Sequence, residues 1–159
     1  MKFIFTKGAG KFDSMEVVRA GQSSEMIECP KQGIIPHDMV HYAVEHTLNA
    51  RGFLTRVKDG EAPTFQMQPE TQSDGVERLV EVFQADAWSG GQSHASDLIE
   101  MYRVTCEARS CPMLDVDEAA ILDVRTVIAD LTKRWAAVPV GHSLELGFSN
   151  EPGMPHQLT

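Results

Sequence analysis

The segment Pro36-His37-Asp38-Met39-Val40-His41-Tyr42-Ala43-Val44-Glu45 holds the residues of this chain best suited to chemistry. His37 and His41 are four positions apart. On a helix, positions four apart project from one side about one turn from each other, so two imidazoles there reach one cation together. Glu45 continues the same row one turn later. Two histidines and a carboxylate form the donor set of a divalent metal such as zinc, whose catalytic sites take about three protein ligands and a water. His37, His41 and Glu45 are therefore the candidate metal ligands. Asp38 is the candidate catalytic residue, either as base on a metal-activated water or as a partner that orients a histidine. Together they point to hydrolase-like chemistry. His142 and His94 are the remote imidazoles available to such a site. An alternating pattern places His142 on the apolar face of the last strand, and His94 sits in a Gly/Ser-rich loop.

The same residues support a second reading. On a helical wheel Val40, Val44, Thr47 and Leu48 form the apolar arc, with His37 within or beside it, His41 at its edge and Glu45 next to it. His37, Asp38 and Glu45 then make a structural hydrogen-bond network at the start of the helix. The chain is in that case a non-enzymatic binding or assembly module that meets a protein partner or a second copy of itself. A small-ligand pocket between sheet and helix is a third reading, and no motif names its ligand.

The pattern His37-Asp38-x-x-His41 resembles the zincin helix motif His-Glu-x-x-His, with a carboxylate one methylene shorter in the base position. The ubiquinone-biosynthesis family with a His-Asp-x-x-His motif has a Glu twelve positions after the second His. This chain has Phe53 there, so that function is not carried over. Over most of its length the chain resembles small uncharacterised bacterial proteins. The likeness lies in an N-terminal β meander, in the helix Pro36-His37-Asp38-x-x-His41-Tyr42-x-Val44-Glu45 followed by Gly52-Phe53, and in the segment Trp135-x-x-x-Pro139-x-Gly141-x-x-Leu144-x-Leu146. The resemblance implies a fold layout and points at the helix, and it implies no activity.

The elements that position these residues are legible in outline. Lys2–Lys7, Met15–Ala20 and Ser24–Cys29 are short β-rich runs separated by Gly and Ser clusters, which predicts an antiparallel meander. Pro36 suits the first turn of a helix over Pro36–Ala50, and Asn49 with Gly52 supplies its stop. A short helix follows at Phe53–Lys58. Glu61–Gly75 lacks periodicity and reads as a loop. Val76, Leu79, Val80 and Phe83 predict a helix near Asp74–Ala87. Asp97 with Glu100, and Asp115 with Glu118, look like capping boxes that open helices to about Arg109 and over Val116–Ala137. The alternation of Val140, His142, Leu144, Leu146 and Phe148 predicts a final half-buried strand. Strands segregated from helices give an α+β fold. It consists of a small, mainly antiparallel sheet, the three-strand meander plus the C-terminal strand, covered by helices. Residues 1–149 form one expected domain, followed by a mobile tail over 150–159.

Composition bounds the functions. The chain has 159 residues, and 14 Lys+Arg against 23 Asp+Glu leave a net charge of −9. That balance argues against nucleic acid and anionic membranes, both of which need cationic side chains to neutralise phosphate. No run approaches the roughly 18–20 apolar residues of a membrane helix, and Phe3-Ile4-Phe5 is too short for a signal peptide. Three scattered cysteines, Cys29, Cys106 and Cys111, do not suggest a disulfide framework. Cys106 and Cys111 have a C-x4-C spacing across a helix end, but no second pair completes a zinc knuckle. The expectation is a cytoplasmic protein with reduced thiols. The chain has no Gly-rich nucleotide loop, and Asp115–Glu118 lacks the glycine of a calcium loop.

Overall fold

The computed structural model describes residues 1–60 and 70–148. Most of the expected loop over Glu61–Gly75, and all of the expected tail over 150–159, lie outside the described residues. Among the described residues the strands are β1 (Lys2–Thr6), β2 (Phe12–Val18), β3 (Glu25–Pro30) and β4 (Ser143–Gly147). The helices are α1 (His37–Leu48), α2 (Phe53–Lys58), α3 (Thr71–Trp88), α4 (Ala95–Ala108) and α5 (Glu118–Ala136). The fold is α+β. The four strands form one antiparallel sheet in the order β3-β2-β1-β4, so the last strand returns to pair with the first.

Register explains why one face of this sheet is apolar. Phe3 lies opposite Val17 on one side and Leu146 on the other, and Phe5 lies opposite Met15 and Leu144. With a period of two, these residues all point to one face. Phe3, Phe5, Met15, Val17, Cys29 and Leu146 are buried, while Lys2, Glu28 and Glu145 on the opposite face are exposed. The helical layer meets the apolar face. Within that layer α1 packs against α2, α3 and α5, and lies beside β3. The predicted α5 stripe of Ile121, Val124, Ile128, Leu131 and Trp135 is wholly buried. No helix among the described residues is long and apolar enough to cross a membrane.

Several boundaries differ from the expectation for local reasons. Helix α1 ends at Asn49, which takes the left-handed conformation (φ 50°, ψ 43°) as its N–H bonds to the Glu45 carbonyl. The cap of α5 is Asp117, whose side chain accepts from the Ala120 N–H at 2.8 Å, and not Asp115. Helix α4 starts after His94, with Asp97 inside its first turn. The last strand is shorter than the alternation of apolar residues suggests. Gly141 has φ 85°, and His142 N–H bonds to the Pro139 carbonyl at 3.0 Å, so residues 139–142 form a turn. The turn breaks the two-residue period, and His142 and Val140 are exposed instead of facing the core.

Candidate metal centre

Helix α1 presents His37 and His41 one turn apart toward α3, which supplies Glu77. One ligand atom from each of His37, His41 and Glu77 lies within 4.8 Å of the other two. The Nε2 atoms of the two imidazoles are 3.2 Å apart, with ring centroids at 4.7 Å and planes at 73°. Glu77 spans them, with Oε2 at 2.7 Å from His41 Nε2 and Oε1 at 3.3 Å from His37 Nε2. Bonds of about 2.0–2.1 Å at tetrahedral angles put neighbouring ligand atoms about 3.3 Å apart. The observed triangle is close to that size already.

The far side of each ring is also tied down. His37 Nδ1 is 2.8 Å from Gln84 Oε1, and His41 Nδ1 is 3.0 Å from Glu45 Oε2. Gln84 stands two turns after Glu77 on α3, so one helix face supplies both a carboxylate for the Nε2 side and an acceptor for the Nδ1 side. An acceptor on Nδ1 selects the tautomer whose Nε2 lone pair is available to a cation.

Glu45 belongs to the second group of contacts. It is 1% exposed. Its Oε1 accepts from Gly52 N–H at 3.0 Å, Thr55 N–H at 2.8 Å and the Thr55 hydroxyl at 2.8 Å. Its Oε2 accepts from Leu54 N–H at 3.1 Å in addition to His41. Glu45 therefore caps the start of α2 from a neighbouring helix and holds His41. Gly52 makes this approach possible, because a Cβ there would stand 2.7 Å from Glu45 Cδ and 2.5 Å from Val76 Cγ1.

The charges follow from these contacts. Burial alone would lower the His41 pKa, but its bonds to Glu45 and Glu77 raise it to about 10. His37 is also raised: the Glu77 and Gln84 bonds outweigh burial and the repulsion of His41. Glu77 is held well below the usual carboxylate range by both histidines, against the opposing effect of burial. Without a metal, His41 is clamped between Glu45 and Glu77, and both contacts favour its protonated form. His41 is buried, while the side chains of His37 and Glu77 are 38% and 33% exposed, so the cluster opens to solvent on their side.

The remaining candidates lie elsewhere. Asp38 is outside this triad, and its Oδ2 accepts from Cys29 Sγ on β3 at 3.7 Å. Burial pushes its carboxyl upward, and the positive fields of His41 and His37 oppose that rise. His94 and His142 are exposed at the start of α4 and in the turn before β4, and neither joins the triad. Sequence reasoning missed Glu77 and Gln84. Their signal was present: Glu77, Val80 and Gln84 are spaced i, i+3, i+7, which places two polar residues on the buried stripe of α3.

No protein-family model, no curated protein and no solved structure matches the chain.

Proposed function

We propose that the chain binds one divalent cation, of which zinc is the best fit, through His37 Nε2, His41 Nε2 and a Glu77 carboxylate oxygen, and that it uses the cation for hydrolysis. One observation carries the reading. Two imidazole Nε2 atoms and a carboxylate converge on one point while both Nδ1 atoms are held by acceptors. Three protein ligands leave a fourth position, where a bound cation supplies a Lewis acid and a water of lowered pKa. The half-exposed edges of His37 and Glu77 put that position on the solvent side. Glu45 and Gln84 act through the histidines and are positioning residues. Asp38 keeps its proposed role, as base or as a partner that orients a histidine, supported by its place next to His37 on α1.

Metal analysis of the full chain after chelation and reloading tests the site. The expected result is one equivalent of zinc, lost in His37→Asn, His41→Asn and Glu77→Gln. Failure to take up zinc, manganese or iron, or uptake unchanged in all three variants, overturns it.

A second reading has its own support, because the protonated cluster satisfies itself. In that reading His41 is a structural ion-pair centre in a binding or assembly module. The His37→Asn, His41→Asn double change separates the two. Both readings lose stability, because His41 bridges Glu45 and Glu77; only a metal site also loses a stoichiometric cation, and a structural centre has none to lose.

A further inference from the structure

Helix α4 ends in a turn that brings two cysteines together. Ser110 takes the left-handed conformation, φ 53°. Cys111 N–H donates to the Cys106 carbonyl at 3.1 Å, and Ser110 N–H donates to the Glu107 carbonyl at 3.2 Å. These are the two hydrogen bonds of a Schellman motif. In that motif the side chain of the third-last helical residue meets that of the second residue past the cap. The contact is ordinarily apolar, and here both positions are cysteine. The motif therefore sets the two thiols side by side, where they interact electrostatically. Neither is in a disulfide; Cys106 is buried and Cys111 is half-exposed to solvent.

We propose that Cys106 and Cys111 are an oxidative modification site, forming a reversible disulfide by exchange with a small-molecule disulfide of the glutathione type. Cys111, the accessible thiol, gives its proton to solvent and attacks one sulfur of the oxidant. The oxidant's S–S bond breaks, one thiolate leaves and is protonated, and Cys111 carries the mixed disulfide. Cys106 then loses its proton and attacks Cys111 Sγ, and the second small thiol leaves. The chain gives up two electrons and two protons, and the oxidant becomes two thiols.

The surroundings fit that order of events. Burial pushes the Cys106 thiol up to about 11 and its Cys111 neighbour adds to the rise, while the Tyr102 hydroxyl and the positive charge of Arg78 oppose it. Cys106 therefore stays protonated until a mixed disulfide forms beside it. The turn is already closed by backbone hydrogen bonds, so the bond requires only a local approach of the sulfurs to about 2.05 Å. A metal is a poorer occupant. Two thiolates are half of a tetrahedral set, and no third His, Cys, Asp or Glu converges with them among the described residues. The Tyr102 hydroxyl beside Cys106 donates to the Gly75 carbonyl at 2.8 Å and accepts from Leu114 N–H at 3.0 Å.

Tryptic mapping of the full chain tests the proposal. The chain is equilibrated in glutathione buffers from reducing to oxidising, alkylated and digested. Arg109 lies between the cysteines, so cleavage separates Val104–Arg109 from Ser110–Arg125 unless a disulfide joins them. The expected result is a linked pair that accumulates under oxidising conditions and disappears with dithiothreitol, while the Cys29 peptide stays unlinked. In Cys106→Ser the glutathione adduct at Cys111 rises by more than about tenfold, because the resolving thiol's high effective concentration is gone. Absence of the linked pair in the unaltered chain at every ratio overturns the proposal. So does a glutathione adduct at Cys111 equally abundant in the unaltered chain and in Cys106→Ser.

Discussion

Replacing Glu45 and Glu77 by glutamine separates the carboxylate that supports the centre from the one that completes it. In Glu45→Gln one oxygen becomes an amide NH2. If the surviving oxygen keeps Gly52 N–H, Thr55 N–H and the Thr55 hydroxyl, the new NH2 faces two donors, Leu54 N–H and His41 Nδ1–H. Each buried donor left without an acceptor costs roughly 1–3 kcal/mol, so the metal-free fold loses about 4 kcal/mol. For a chain of this size that lowers Tm by about 8–16 °C. Zinc affinity falls by about 10–100-fold, as expected for loss of an orienting partner. Glu77→Gln gives the opposite balance. Glu77 is partly exposed and its loss leaves His41 paired with Glu45, so the metal-free fold loses only about 1 kcal/mol, discounting for solvent screening. Zinc affinity, however, falls further than in Glu45→Gln, because an anionic ligand is gone. Urea unfolding in the presence of chelator gives the stabilities, and competition with a chromophoric chelator gives the affinities. If Glu45→Gln unfolds within about 1 kcal/mol of the unaltered chain and loses zinc as completely as Glu77→Gln, Glu45 is a ligand and its role as a cap is wrong.

In the proposed site zinc displaces the proton that His41 holds up to about pH 10, so binding should release protons and tighten by about tenfold per pH unit through the neutral range. Calorimetry in two buffers of different ionisation enthalpy reads this, and a heat independent of buffer contradicts it. The raised His41 pKa also sets the pH dependence of the metal-free fold. Its contribution is complete below the ordinary histidine value of about 6.5 and is lost as pH rises through about 10, so urea midpoints should decline over that window. Gly52→Ala drives a Cβ into Glu45 and Val76 and should cost about 1–3 kcal/mol as well as weaken zinc; an unchanged urea midpoint argues against the close approach. Burial, with Asp38 adding, pushes the Cys29 thiol up to about 12, so an aromatic disulfide reagent should modify Cys111 first and Cys29 only on unfolding. Equal native rates for the two would count against that burial.

Local signals in the sequence carried most of the fold. The Phe and Val runs of the meander, the proline before α1 and the stripe of α5 each state their element within a few residues, because a period of two or of three to four is a property of neighbours. The β4 boundary failed where one backbone conformation, that of Gly141, overrode an alternation that continued through it. Half of the candidate centre was legible for the same local reason: His37 and His41 lie on one helix. The other half was not. Glu77 reaches them from α3 only through the packing of α1 on α3, a contact that no single-helix pattern specifies. Glu45 has the spacing of a third ligand, yet its oxygens are taken by the amides of α2. Those competing donors come from a turn whose path the sequence does not reveal.

Helix α2 has six residues, far below the roughly 12–15 at which an isolated helix becomes even marginal in water. Its first turn is held by a carboxylate that also holds His41. Opening that turn and releasing the imidazole are thus one thermodynamic event. Whatever fixes His41 from the solvent side slows amide hydrogen exchange at Gly52, Leu54 and Thr55, residues that it never touches. These three protons make α2 a built-in gauge of what the centre holds.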